Sequence, residues 1–153
     1  MRPGNVNNTN ASLSWMEIVS KYNFPDTVKS WWQLTNSVVP YLLLWAAMVW
    51  SLDVSYWLTI FLSVIAAGFL IRIFIIFHDC GHGSFFKSKR LNLIVGIITG
   101  LIAFSPYHKW HHDHKKHHAT VGNLDKRGTG DVKTLTVEEF LKLSKWQRFM
   151  YHF

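Results

Sequence analysis

Residues 31–77 read WWQLTNSVVPYLLLWAAMVWSLDVSYWLTIFLSVIAAGFLIRIFIIF, and this stretch decides the fold. Trp31 to Leu52 carries no charge and, at about 1.5 Å per residue, is long enough to cross a hydrocarbon core of roughly 30 Å. Val54 to Phe77 is also long enough. Asp53 is the only charge between the start of the first run and Arg72, and Arg72 lies where it can snorkel or face the protein interior. Pro40 falls in the first third of its run, where a kink is tolerated. The connection is so short that the two runs read as a transmembrane helical hairpin. The expected fold class is therefore an all-α integral membrane protein.

The basic residues orient the hairpin. Arg2, Lys21 and Lys29 precede it, Lys87, Lys89 and Arg90 follow it, and its tip has neither Lys nor Arg. The positive-inside rule places both ends in the cytoplasm and the tip outside. Leu91 to Tyr107 is a third apolar stretch, at the lower limit of spanning length, with Gly96, Thr99, Gly100 and Pro106 inside it. Basic clusters flank it on both sides, so a true crossing would put one of them outside. A re-entrant or interfacial helix that returns to the cytoplasmic side fits better.

Composition agrees with a membrane protein. Charged residues are only 16% of the chain and hydrophobic ones 49%, against about 25% charged in soluble domains. The eight Trp suit aromatic belts at membrane interfaces. A net charge of +7 invites a nucleic-acid reading, but the basic residues flank apolar runs instead of lining a soluble face. The lone Cys80 excludes an intrachain disulfide. Residues 1–14 are rich in Asn and Ser, are expected to be disordered, and lack the apolar core of a signal peptide. The first membrane helix is then expected to act as its own insertion signal. Residues 15–30 suit a short interfacial helix interrupted near Pro25. Residues 122–131 form a Gly/Asp-rich loop, and Thr136 with Glu138 and Glu139 can cap an amphipathic surface helix that runs to the end of the sequence. The parts expected are a cytoplasmic segment (1–30), the hairpin (31–77), a first histidine-bearing loop (78–90), the third apolar helix (91–107), and a cytoplasmic histidine-rich part (108–153).

Histidine spacing carries the chemistry. Six of the nine histidines lie between His108 and His118, and two more, His78 and His82, follow the second run directly. His78 and His82 are four apart and share a helical face. His114, His117 and His118 stand at i, i+3, i+4 and also converge. Two such faces make a nitrogen-rich site for iron, zinc or copper. A single histidine at a helix end is commonly a polar interface residue or a dipole partner, and a His-rich tract can be a loose metal scavenger; here the joint pattern is what points to a metal. If the third apolar stretch crossed the bilayer, the two sets would stand about 30 Å apart and could not share a centre.

The run HDCGHGSFF (78–86) resembles the first histidine box of the membrane fatty-acid desaturases. The run WHHDHKKHHATVGNLDKRGTGD (110–131) resembles their second box, in which Trp precedes HxxHH and a GN element follows. The similarity is to the Δ12/ω6 acyl-lipid branch and covers residues 31–153. It implies His78, His82, His114, His117 and His118 as metal ligands. His111 and His112 fall at variable positions, and His108 and His152 match no box position. It also implies two iron ions, O2, an acyl lipid or acyl thioester substrate, an electron donor such as ferredoxin or cytochrome b5, and no nucleic-acid partner. A third box, expected after a second hairpin, does not occur in these residues. The chain is thus expected to be an N-terminal portion whose di-iron site is incomplete by itself and which is inactive alone.

Asp79, Asp113 and Asp131 are candidates by type for orienting the imidazoles, but a role without function is the favoured reading for each, with Asp79 and Asp113 as solvated loop or helix-end charges. Cys80 is expected to be a small packing residue and Trp110 an interface anchor or packing residue, with Gly81 and Gly83 allowing close approach at the helix end. A membrane hydroxylase or ketolase would share this ligand scheme. A non-enzymatic metal-binding or transport protein would need ionisable residues inside its spans, and the only one there, Arg72, repels metal ions.

Overall fold

The computed structural model describes residues 15–20, 22, 24–128, 130 and 132–152. The expectations for residues 1–14 and for Asp131 lie outside the described residues. Every regular element among the described residues is helical. The chain divides into two compact units, Met1–Phe104 and Ser105–Phe153.

The first unit holds α1 (Trp15–Ser20), α2 (Thr27–Ser51), α3 (Tyr56–Gly81) and α4 (Lys89–Ile102). Helix α2 starts earlier than its apolar run because the Asp26 carboxylate caps it, accepting from the amides of Val28 and Lys29. Pro40 lies inside α2 without ending it. At 25 and 26 residues, α2 and α3 are both long and apolar enough to cross a membrane. They pack as the expected hairpin around Tyr41, Ala66 and Ile73, with Val38, Leu44, Met48, Phe69 and Leu70 closing the seam. Near the tip, the hydroxyls of Ser51 and Thr59 meet at 2.7 Å. Much of the remaining surface of the pair is apolar and exposed, including Leu43, Trp57, Phe61 and Val64. Such a face suits lipid and would be a liability in water.

Arg72 is satisfied across the hairpin. Its guanidinium donates to Asn36 Oδ1 at 2.7 Å and to Ser37 Oγ at 3.3 Å, both on α2.

Helix α4 is shorter than the third apolar stretch, ending at Ile102 before a positive-φ residue, Phe104. Fourteen residues reach about 21 Å, short of a hydrocarbon core. Its buried residues are Asn92, Val95, Gly96, Thr99 and Gly100, one helical face at i, i+3, i+4, i+7, i+8. Val95 on this face packs with Ile76 and Cys80 of α3, while Leu93, Ile94, Ile98 and Leu101 are exposed on the other side.

The second unit contains α5 (Tyr107–Thr120), a 3-10 turn (Leu124–Lys126), α6 (Val137–Lys142) and α7 (Lys145–His152). The Thr136–Glu139 capping box forms as the sequence suggests. The single helix expected beyond it is in fact two. Ser144 and Gln147 make a second capping box, Ser144 N–H donating to Gln147 Oε1 and Gln147 N–H to Ser144 Oγ, and this restarts the chain as α7. Arg127 bridges the loop after α5 to α6, its guanidinium gripping both oxygens of Glu139 at 2.8 Å. The Glu139 carboxyl is held down at about 2 by this fork and by the Thr136 amide.

Candidate metal centre

His78 lies in the last turn of α3 and His82 is its C-cap. The helix stops there through paired backbone bonds, Gly83 N–H to Cys80 C=O and Ser84 N–H to Asp79 C=O, both at 3.0 Å. That pattern requires a left-handed residue next, and Gly83 supplies it at φ 70°. A β-carbon on Gly83 would meet nothing within 4 Å, so this glycine serves backbone conformation and not the close approach expected of it. The result is a pair of imidazoles on one turn, with Nε2 atoms 3.3 Å apart. His78 Nδ1 stands 3.1 Å from Asp79 Oδ1. A proton on Nδ1 donated to that carboxylate leaves the Nε2 lone pair available to a metal. His82 also lines an open pocket of about 380 Å³ with Tyr22, Phe24 and Pro25.

The loop behind this box is anchored by buried polar groups that the sequence reading did not single out. Asn92 accepts from Phe86 N–H at 2.9 Å and donates to Phe86 C=O at 2.7 Å and to Ser88 C=O at 3.2 Å. The Ser30 hydroxyl donates to Phe85 C=O at 2.5 Å. Trp31 packs on Phe86 with ring centroids 5.2 Å apart. Cys80 is buried with Ile76, Phe85, Phe86 and Val95, as a packing residue should be. The only sequence signal for Asn92 is an amide inside an apolar run.

On α5, His114 and His118 repeat the i, i+4 arrangement, with Nε2 atoms 3.0 Å apart. His117 joins them, its ring centroid 5.8 Å from His114 and 5.7 Å from His118. Trp110 stacks on His114 with centroids 4.3 Å apart and planes 18° from parallel. A β-carbon on Gly130 would stand 3.7 Å from the His117 ring, so this glycine, at φ 89°, brings the loop's backbone against that imidazole. His111 instead stacks on Tyr107 at 5.8 Å, and His152 packs on Phe140 at 5.7 Å. Asp113 accepts from Lys109 at 2.7 Å, which lowers its pKa, and so behaves as a solvated ion-pair residue.

The donor set fits a metal. Two nitrogens each about 2.1 Å from one ion and at right angles stand about 3 Å apart. The His78–His82 and His114–His118 separations of 3.3 and 3.0 Å match that chelate. An all-imidazole set suits iron, zinc or copper.

A family model described as "Fatty acid desaturase" matches residues 55–153. A fatty acid desaturase of Bacillus subtilis is 53% identical over 133 residues, which are 87% of this chain and 38% of that protein. An sn-1 oleoyl-lipid 12-desaturase of Anabaena variabilis is 36% identical over 98 residues, 63% of this chain and 27% of its own length. An sn-1 acyl-lipid omega-3 desaturase (ferredoxin) of Synechocystis is 49% identical over 53 residues, 35% of this chain and 15% of its own. No solved structure matches. The chain thus joins two helices long and apolar enough to cross a membrane to two histidine pairs spaced as a metal chelate would need. The chain belongs to the fatty acid desaturase family, and it spans well under half the length of these relatives.

Proposed function

We propose that this chain supplies the first two histidine boxes of an O2-dependent acyl-lipid desaturase, with His78, His82, His114, His117 and His118 as ligands of a di-iron centre. The observation that carries the reading is the matching pair of Nε2–Nε2 separations, 3.3 and 3.0 Å, at the positions that resemble the family's boxes. Bound iron would supply the oxidising power, drawn from O2, that no side chain has. The overall change is –CH2–CH2– plus O2, two electrons and two protons to cis –CH=CH– plus two waters, with the electrons delivered by a ferredoxin or cytochrome b5.

The chain's own residues prepare for that chemistry. Asp79 holds His78 in the tautomer whose Nε2 points at His82. Gly83 ends α3 so that both rings sit on its last turn. The long apolar helices hold the boxes beside the acyl chains that are the substrate. Within the membrane, α2 and α3 cross as a hairpin with both ends cytoplasmic, and α4, too short to cross alone, is re-entrant or interfacial, which keeps the histidines on one side. The name of the Synechocystis relative supports a ferredoxin donor, and that of the Anabaena relative supports a lipid-linked acyl substrate. By themselves, these 153 residues are expected to bind iron weakly and not to turn over, because the resemblance implies a third box that they do not contain.

The test replaces the matching segment of the Bacillus subtilis relative with these residues, expresses the chimaera in a host without its own desaturase, and profiles fatty acids by gas chromatography. New unsaturated acyl chains are expected, and they disappear when any of the five histidines becomes alanine. A well-inserted, iron-loaded chimaera that leaves the profile unchanged refutes the desaturase reading. New hydroxy or keto acids would reassign it to a hydroxylase or ketolase.

A further inference from the structure

Helix α5 carries a ladder of three rings on successive turns, Trp110, His114 and His118. The indole covers one face of the His114 imidazole, 4.3 Å away and nearly parallel. On the next turn His118 meets the same imidazole edge-on, with centroids 4.5 Å apart and Nε2 atoms at 3.0 Å. Helical side chains tilt toward the N-terminus, so the residue four places earlier is the one His114 lies down on. An imidazole without such a neighbour samples a broad χ2 and more than one staggered χ1. Only a narrow part of that range aims Nε2 at His118.

We propose that Trp110 is a positioning residue for His114, its indole face selecting the rotamer in which the His114–His118 pair can chelate a metal ion. The inference rests on the metal-centre reading above and deepens it. It gives Trp110 a role apart from anchoring at a membrane interface.

The 153-residue chain in detergent micelles is titrated with Co2+, and the d–d absorption of the bound ion gives both affinity and ligand field. Trp110→Phe keeps a π-face and should titrate within about twofold of wild type, whereas Trp110→Leu keeps apolar bulk without one and should bind roughly three- to tenfold more weakly, with an altered d–d band. His114→Ala should bind at least as weakly as Trp110→Leu. Adding Trp110→Leu to His114→Ala should cost nothing further, since the indole acts through that ring.

If Trp110→Leu titrates as wild type while His114→Ala loses Co2+, the positioning role is overturned and the metal reading stands. If His114→Ala also titrates as wild type, both fall. Additive losses in the double variant would place the indole's effect elsewhere and overturn the proposal. A second measurement needs no variant: NMR of the histidine-labelled, metal-free chain should show the His114 ring protons shifted upfield by the indole, and unshifted protons would overturn the stack itself.

Discussion

Asn92 is the residue whose removal tests most directly how the first histidine pair is held in place. Its side chain satisfies both backbone groups of Phe86, at 2.9 and 2.7 Å, and Phe86 is only 1% exposed. In Asn92→Leu the apolar bulk remains but the Phe86 amide and carbonyl lose their side-chain partner at a position where Asn92 itself is only 2% exposed. A buried donor left unsatisfied costs about 1–3 kcal/mol, and the lost bond to the carbonyl about 1 kcal/mol more. The expected loss is therefore about 2–4 kcal/mol in the opening equilibrium of the 82–88 loop, or roughly one and a half to three decades. Hydrogen exchange at the Phe86 amide in detergent reads that equilibrium directly, and denaturant unfolding of the same sample reads the global effect. Asn92→Asp keeps an acceptor for Phe86 N–H while losing the donor, and should retain part of the amide's protection. Protection of Phe86 in Asn92→Leu within a factor of three of wild type would refute the account.

Other consequences concern ends and charges. Gly83→Ala faces open space but must adopt φ 70°, so it should lower stability by about 1–2 kcal/mol from backbone strain alone; thermal unfolding checks this, and an Asn there should be milder. Asp79→Ala should weaken Co2+ binding by roughly 10- to 100-fold by freeing the His78 ring, whereas Asp113→Ala, which removes only an ion pair with Lys109, should leave it unchanged in the same titration. Glu139 has a folded pKa near 2 against an ordinary 4.5, so its contribution is complete above 4.5 and is lost as pH falls toward 2. Helicity at α6, followed by NMR, should fall in that window, and Arg127→Leu should move the fall to higher pH; a transition that stays put would show that the fork is not its cause.

Much of this was legible in the sequence because the signals are local. Apolar runs of membrane length gave α2 and α3, and i, i+4 spacing gave both histidine pairs, since each pair spans a single turn of local backbone. The Thr136 capping box is local too. The break between α6 and α7 was equally readable, as Ser-x-x-Gln at Ser144, but the continuing apolar pattern through Phe149 masked it. What could not be read depends on contacts distant in the chain. Ser30 meets Phe85 across 55 positions, and Arg72 finds Asn36 and Ser37 only once the hairpin has closed. Asp79 and Asp113 look alike as letters. One faces an imidazole and the other a lysine, and only side-chain placement separates them.

Because α3 runs unbroken from Tyr56 to His78 and on to Gly81, one rigid rod long enough to cross a bilayer also presents the first histidine pair. Its length and its rotational phase are therefore locked together. Inserting a single residue anywhere between Trp57 and Phe77 would lift His78 by about 1.5 Å and swing it by about 100°. A chain of this design cannot adapt to a thicker membrane by small insertions in this helix. It can do so only by tilting or by trading side-chain bulk, and the spacing from the aromatic end at Trp57 to His78 should stay fixed while the residues between them vary.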